Sequence, residues 1–203
     1  MIDRHILPLQ RKLLAPLAQR LVARGVSADQ ISLGGFAIGL LAVPAIALEA
    51  YLLGLLLIIL NRIADGLDGA VARLTAPTDR GAFLDIALDF VFYALVPLAF
   101  ALADPQHNAL AAAILITAFV GTGSSFLAFA TIAAKRGLTA DAYPAKGLYY
   151  LGGLTEGAET IALFLAFCIF PDSFAPLAYG FAGLCLITTV TRWHQGWRAF
   201  ETA

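Results

Sequence analysis

Between Arg62 and Phe90 the chain reads RIADGLDGAVARLTAPTDRGAFLDIALDF, which carries Asp65, Asp68, Asp79, Asp85 and Asp89, five of the protein's 14 acidic residues. The runs on either side, YLLGLLLIIL and VFYALVPLAFAL, read as lipid-facing helix. Carboxylates are expensive in such a setting and point to function when they occur there. On a helix turning about 100° per residue, Asp65 and Asp68 lie about 60° apart, with Gly69 and Ala72 on the same stripe and Arg73 at its edge. After a turn containing Pro77, Asp85 and Asp89 are again on one face, about 40° apart. Packing the two helices antiparallel would gather four carboxylates at one point, roughly 21 Å along the first helix from Tyr51 and so close to one membrane interface.

Four neighbouring carboxylates cannot all stay ionised without compensation, which comes either from protons or from divalent metal. A donor set of oxygens alone, with no His or Cys nearby, favours a hard ion such as Mg²⁺ or Mn²⁺. Two such ions about 4 Å apart form the usual clamp for in-line phosphoryl displacement. Gly66, Gly69, Ala70, Ala72 and Gly81 clear the helix surface for a ligand, and Arg73 adds a planar fork of donors suited to phosphate. Small residues also serve helix packing, and a lone intramembrane Asp can be a proton relay or the ion-pair partner of Arg62 or Arg73. Four acids at these spacings, interleaved with glycines, are harder to explain as structure alone.

The elements that must position these residues follow from composition. Of 203 residues, 60% are hydrophobic and 13% charged, and the mean hydropathy is +0.82. This departs far from the half apolar, quarter charged make-up of soluble domains, and points to an all-α integral membrane protein. Residues 1–25 alternate leucines with Arg4, Arg11, Lys12, Arg20 and Arg24, which predicts an amphipathic helix lying in the membrane surface, interrupted or bent at Pro8 and Pro16. Residues 26–203 then form one catalytic domain of six transmembrane helices, expected at about 30–49, 51–74, 81–103, 107–134, 147–170 and 174–198, the first capped by Ser27 or Asp29. On that topology twelve of the 13 Lys and Arg fall at one face, with Arg62 inside a span, whereas the opposite turns carry Glu49, Asp104, His107 and Asp172. Both termini and the acidic cluster are therefore expected on the cytoplasmic side.

The acidic stretch fits the pattern D-x-x-D-G-x-x-A-R, a spacer, then G-x-x-x-D-x-x-x-D at every fixed position: Asp65, Asp68, Gly69, Ala72, Arg73, Gly81, Asp85 and Asp89. In this it resembles the CDP-alcohol phosphatidyltransferase family, whose members commonly have an N-terminal surface helix and six spans. The resemblance implies that Asp65, Asp68, Asp85 and Asp89 bind two divalent cations, Mg²⁺ or Mn²⁺, with Asp89 also the catalytic base toward the incoming hydroxyl. It implies that Gly69, Ala72, Arg73 and Gly81 shape the cytidine-nucleotide site. The reaction implied is transfer of the phosphatidyl group of CDP-diacylglycerol to a small polar alcohol with release of CMP, in phospholipid biosynthesis. A homodimer in a bacterial inner membrane is implied as well, and no nucleic-acid partner is expected. One departure is local: many relatives open the first span with Pro-Asn and a Thr three residues after the Asn, where this chain has Ala28, Asp29 and Ser32.

Acceptor-binding candidates lie elsewhere. Lys135, Arg136 and Lys146 could bind a phosphate or simply follow the positive-inside bias, and Tyr149, Tyr150, Glu156 and Glu159 could receive a polyol or cationic head group or form an interhelical hydrogen-bonded pair. Trp193, Trp197 and Tyr179 read as interfacial anchors, and Cys168 and Cys185 as buried small hydrophobes. The competing reading of the same carboxylates is a proton- or cation-coupled transporter, which predicts broken helices and often an internal repeat.

Overall fold

The computed structural model describes residues 3–137 and 153–201, with side chains from residue 12 onward. Among the described residues the chain is all helical. Seven α-helices follow in order: α1 (Asp3–Ala23), α2 (Ala28–Ala47), α3 (Tyr51–Thr75), α4 (Asp79–Ala103), α5 (Pro105–Lys135), α6 (Gly157–Ile169) and α7 (Phe174–Ala199). A single 3₁₀ turn at Pro171–Ser173 joins the last two. Helix α1 runs through Pro8 and Pro16 without the interruption expected there.

Polar side chains placed at the helix ends fix where each helix starts. Ser27 and Gln30 form a reciprocal capping box at α2: the Gln30 N–H donates to Ser27 Oγ (3.3 Å) and the Ser27 N–H to Gln30 Oε1 (3.0 Å). Thr78 caps α4 by accepting from the Gly81 N–H (3.0 Å). Asp104 ends α4 and caps α5, accepting from the His107 N–H at 3.2 Å, with its other oxygen 2.7 Å from His107 Nδ1. These bonds from His107 hold the Asp104 carboxyl below its ordinary range.

Four stretches are long and apolar enough to cross a membrane: Ala28–Ala47, Asp79–Ala103, Pro105–Lys135 and Pro171–Ala199. With leucines and other large apolar side chains exposed along the helices (Leu33, Leu41, Leu52, Leu56, Leu186), they describe a multi-pass membrane protein. Helix α3 has the length to span, but Arg62, Asp65, Asp68 and Arg73 crowd its second half and lower its hydropathy. Helix α6 has only 13 residues: residues 153–156 are not helical and Glu156 caps its start, so the helix begins ten residues later than the span expected at 147–170. The first residues of the expected span at 147–170, with Lys146, Tyr149 and Tyr150, lie outside the described residues.

The apolar core ties the helices together at the end away from the acids. Phe100 stacks on Phe174 (4.8 Å between ring centroids) and on Tyr51 (5.7 Å), and Phe167 meets Phe174 at 4.6 Å, joining α3, α4, α6 and α7. At the acidic end helix approach depends on small residues instead. Gly35 and Gly39 of α2 face Ala64 and Asn61 of α3, while Gly123 of α5 leaves room for the Phe90 ring of α4. A Cβ on Gly35 would stand 2.5 Å from the Ala64 Cβ, which cannot rotate away. Gly35→Ala must therefore spread α2 from α3, at a cost of about 1–3 kcal/mol. The expected result is a lower unfolding midpoint in detergent, and an unchanged midpoint would show that the helices do not meet this closely.

Candidate metal and nucleotide site

The acidic stripes of α3 and α4 do face one another. Asp65 from α3 and Asp85 and Asp89 from α4 each offer a carboxylate oxygen, and these oxygens lie within 4.8 Å of one another. All three can serve one divalent ion together, and an oxygen-only set with partial exposure suits a hard cation that keeps water ligands. Asp68 lines the same cleft with Ser32, Gly35, Asn61 and Arg62, but it stands outside that tight trio. It is buried and accepts a hydrogen bond from Ser32 Oγ at 2.5 Å. So Ser32, in the position where many relatives carry Thr, joins α2 to the acidic face of α3.

Local sequence explains this convergence. The i, i+3 and i, i+4 spacings set the two stripes, and the turn between Thr75 and Asp79 reverses the chain so that the stripes meet. The Asn61 amide, buried between helices, donates to the Gly35 carbonyl of α2 (2.9 Å) and accepts from Arg62 Nε (2.8 Å). Arg62 Nη2 in turn donates to Asp89 Oδ1 (2.8 Å), and its Nη1 lies 3.7 Å from Asp65 Oδ1. One hydrogen-bonded line therefore runs from the α2 backbone through α3 to the carboxylate of α4.

The other motif residues sit at the margin. Gly69, Ala72, Arg73 and Gly81 are not among the residues lining the carboxylate cleft. Arg73 is exposed and folds back along its own helix, its Nη1 3.2 Å from where a Cβ on Gly69 would stand. Gly81 lies in the first turn of α4 opposite Asp29 of α2, with an Asp29 oxygen 3.3 Å from the position of a Gly81 Cβ. Asp29 pairs with the exposed Arg80 at 2.5 Å. Asp29, Arg80 and Gly81 thus come together where α2 meets the first turn of α4.

Two further groups take a local explanation. Glu156 and Glu159 form a capping box that starts α6: the Glu156 N–H donates to Glu159 Oε2 (3.2 Å) and the Glu156 side chain accepts from the Glu159 N–H, while the Gly153 N–H also donates to Glu156 Oε1 (3.2 Å). Their i, i+3 spacing is the spacing that such a cap requires. Arg192 is buried on α7, where Nη1 donates to the Thr122 carbonyl of α5 (2.9 Å) and the guanidinium lies 5.7 Å from the Phe126 ring centroid. The expected burial of Cys168 and Cys185 is observed.

The similarities of the whole chain agree with this geometry. The family model for CDP-alcohol phosphatidyltransferases matches residues 26–192. The inner membrane protein YnjF of Escherichia coli (strain K12) is 54% identical over 202 residues, covering 100% of this chain and 98% of that one. A protein of Aquifex aeolicus (strain VF5) is 32% identical over 160 residues, 78% of this chain and 76% of its own. Two crystal structures of Mycobacterium tuberculosis phosphatidylinositol phosphate synthase (PgsA1) share the fold at 22% identity. The complex with manganese and citrate has a TM-score of 0.73, covering 91% of this chain and 88% of that one. The structure with CDP-DAG bound has a TM-score of 0.72, covering 92% and 94%. A family-model match over most of its length, joined to a motif whose acids converge in space, makes this chain a member of the CDP-alcohol phosphatidyltransferase family.

Proposed function

We propose that the protein transfers the phosphatidyl group of CDP-diacylglycerol to the hydroxyl of a small polar alcohol, releasing CMP, in a bacterial inner membrane. The observation that carries this reading is the meeting of Asp65, Asp85 and Asp89 oxygens from two helices in a member of this family. The PgsA1 structures, one with manganese and one with CDP-DAG, and the inner-membrane relative YnjF support the donor, the metal and the compartment.

The fold reading that accompanies it has six spans. Helix α3 joins the four long apolar helices, its 25 residues reaching about 37 Å, and α6, whose 13 residues reach about 20 Å, makes a shorter sixth. Helix α1 lies along the cytoplasmic surface: Ala18 packs on Ala70 and Val71 of α3 while Leu13 and Leu17 stay exposed toward lipid. The Lys and Arg bias then puts both termini and the acidic cleft on the cytoplasmic side.

Asp65, Asp68, Asp85 and Asp89 would hold two divalent ions, Mg²⁺ or Mn²⁺. When bound, such ions supply the positive charge that offsets the pyrophosphate of the donor. Gly69, Ala72, Arg73 and Gly81 receive the cytidine nucleotide. The Ser32 hydroxyl keeps the Asp68 carboxylate oriented toward the cleft. Asp89 takes the proton of the acceptor hydroxyl as that oxygen bonds to the phosphorus bearing the diacylglycerol. The bond from that phosphorus to the bridging oxygen breaks, and CMP departs with the electron pair.

Purified protein supplied with CDP-diacylglycerol, Mn²⁺ or Mg²⁺ and a panel of alcohols should release CMP, and EDTA should abolish the release. Asp89→Asn should lower the rate by about 10²-fold or more, the usual contribution of a general base. Release of CMP that persists with neither metal nor Asp89 contradicts the mechanism, and cation flux in liposomes without any CMP favours the transporter instead. Asp85→Asn separates stability from binding. It removes one like charge from the cluster, so its unfolding midpoint in EDTA should equal or exceed that of the wild type. The wild type should gain about 2.7 kcal/mol from Mn²⁺ at a hundredfold excess over its Kd, and the variant should lose that gain.

A further inference from the structure

Arg62 occupies a place that the eight motif residues do not account for. It lies three residues before Asp65 and therefore on the acidic face of α3. Its fork reaches across to Asp89 (2.8 Å) and lies 3.7 Å from Asp65, touching two of the three carboxylates that converge. Nε is fixed by the buried Asn61, and the guanidinium lies 4.9 Å from the Phe92 ring centroid and 5.9 Å from that of Tyr93. These contacts hold the Arg62 side chain on three sides within the cleft, whereas Arg73 and Arg80 of the same stretch are exposed.

We infer that Arg62 is a built-in counter-cation, a positioning residue that pairs with Asp65 and Asp89 while no divalent ion is bound and yields Asp89 when one arrives. The inference rests on reading these carboxylates as a metal site. Two physical effects make the exchange work. A guanidinium beside like-charged acids lowers the cost of gathering them before metal enters. The same fixed positive charge repels an incoming dication at close range, so it lowers affinity and lets ions exchange instead of being trapped. Asn61 and the two rings retain the side chain in the cleft when Asp89 is released, which a flexible ammonium would not achieve as well.

The test is metal affinity without turnover. Mn²⁺ binding to the full-length protein in detergent is read from the loss of the free-ion electron paramagnetic resonance signal. Arg62→Gln should bind Mn²⁺ at least tenfold more tightly than the wild type while unfolding at a lower temperature in EDTA. Arg62→Lys, which keeps the charge, should stay within about threefold of wild-type affinity. Equal or weaker Mn²⁺ binding by Arg62→Gln overturns the inference but leaves the metal site standing. A wild type that binds no Mn²⁺ removes the metal site and the inference with it. A second readout does not depend on the folding of the glutamine variant. With ¹⁵N-labelled arginine, the Arg62 Nε–H resonance, assigned by its disappearance in Arg62→Lys, should shift on saturation with Mg²⁺. A resonance that stays in place means that Arg62 never yields, and the exchange is wrong.

Discussion

Bringing like charges together inside a helical membrane protein is the constraint from which the rest of this architecture follows. Asp65, Asp85 and Asp89 are drawn to within ligand-sharing distance by two helices whose remaining surface is mostly apolar. Neither stripe would approach the other on its own account. The approach is imposed from elsewhere, by the aromatic cluster of Tyr51, Phe100, Phe167 and Phe174 at the far end and by glycine contacts between α2 and α3 near the cleft. Packing energy gained away from the site thus sustains a cluster that is unfavourable by itself, as functional sites commonly require.

The division of labour between the two ends also explains the side-chain chemistry. Stacked rings join the helices at the end away from the acids, and near the cleft glycines let α2 approach α3 closely. Three polar side chains near the cleft bond across a helix boundary: Asn61 to Gly35, Ser32 to Asp68, Arg62 to Asp89. Such bonds are worth more where water is scarce, and they fix rotamers that a site with metal geometry needs fixed.

Much of this was legible in the residues. Period and spacing located the two acidic stripes and their faces, and apolar runs located the long helices to within a few residues, because both are properties of a single helix; α6, which starts at Gly157 behind its Glu156 cap, begins ten residues later than its apolar run suggested. Capping was legible in part: of the two candidates, Ser27 and Asp29, the structure uses Ser27, with Gln30 completing the box. What spacing could not deliver were relations between helices. Arg62 pairs with a carboxylate 27 positions away, and nothing local distinguishes that partner from Arg73 as a candidate. Asp68 looked equivalent to Asp65, yet the crossing of α2 places Ser32 against it and leaves it outside the trio. Glu156 and Glu159 illustrate the opposite difficulty: two acids three apart suggest function in a membrane, and here the same spacing closes a helix cap. The arginine at 192 followed the charge bias toward one face, but its side chain turns inward to a carbonyl of α5.

The central claim is that carboxylates from α3 and α4 form one divalent-cation site. A crystal structure of the protein grown with Mn²⁺, with anomalous difference maps collected at the manganese edge, addresses it directly. The account predicts anomalous peaks bounded by the oxygens of Asp65, Asp85 and Asp89, at ordinary metal–carboxylate distances. Manganese found only elsewhere on the protein, with those three side chains well ordered and turned apart, would contradict it.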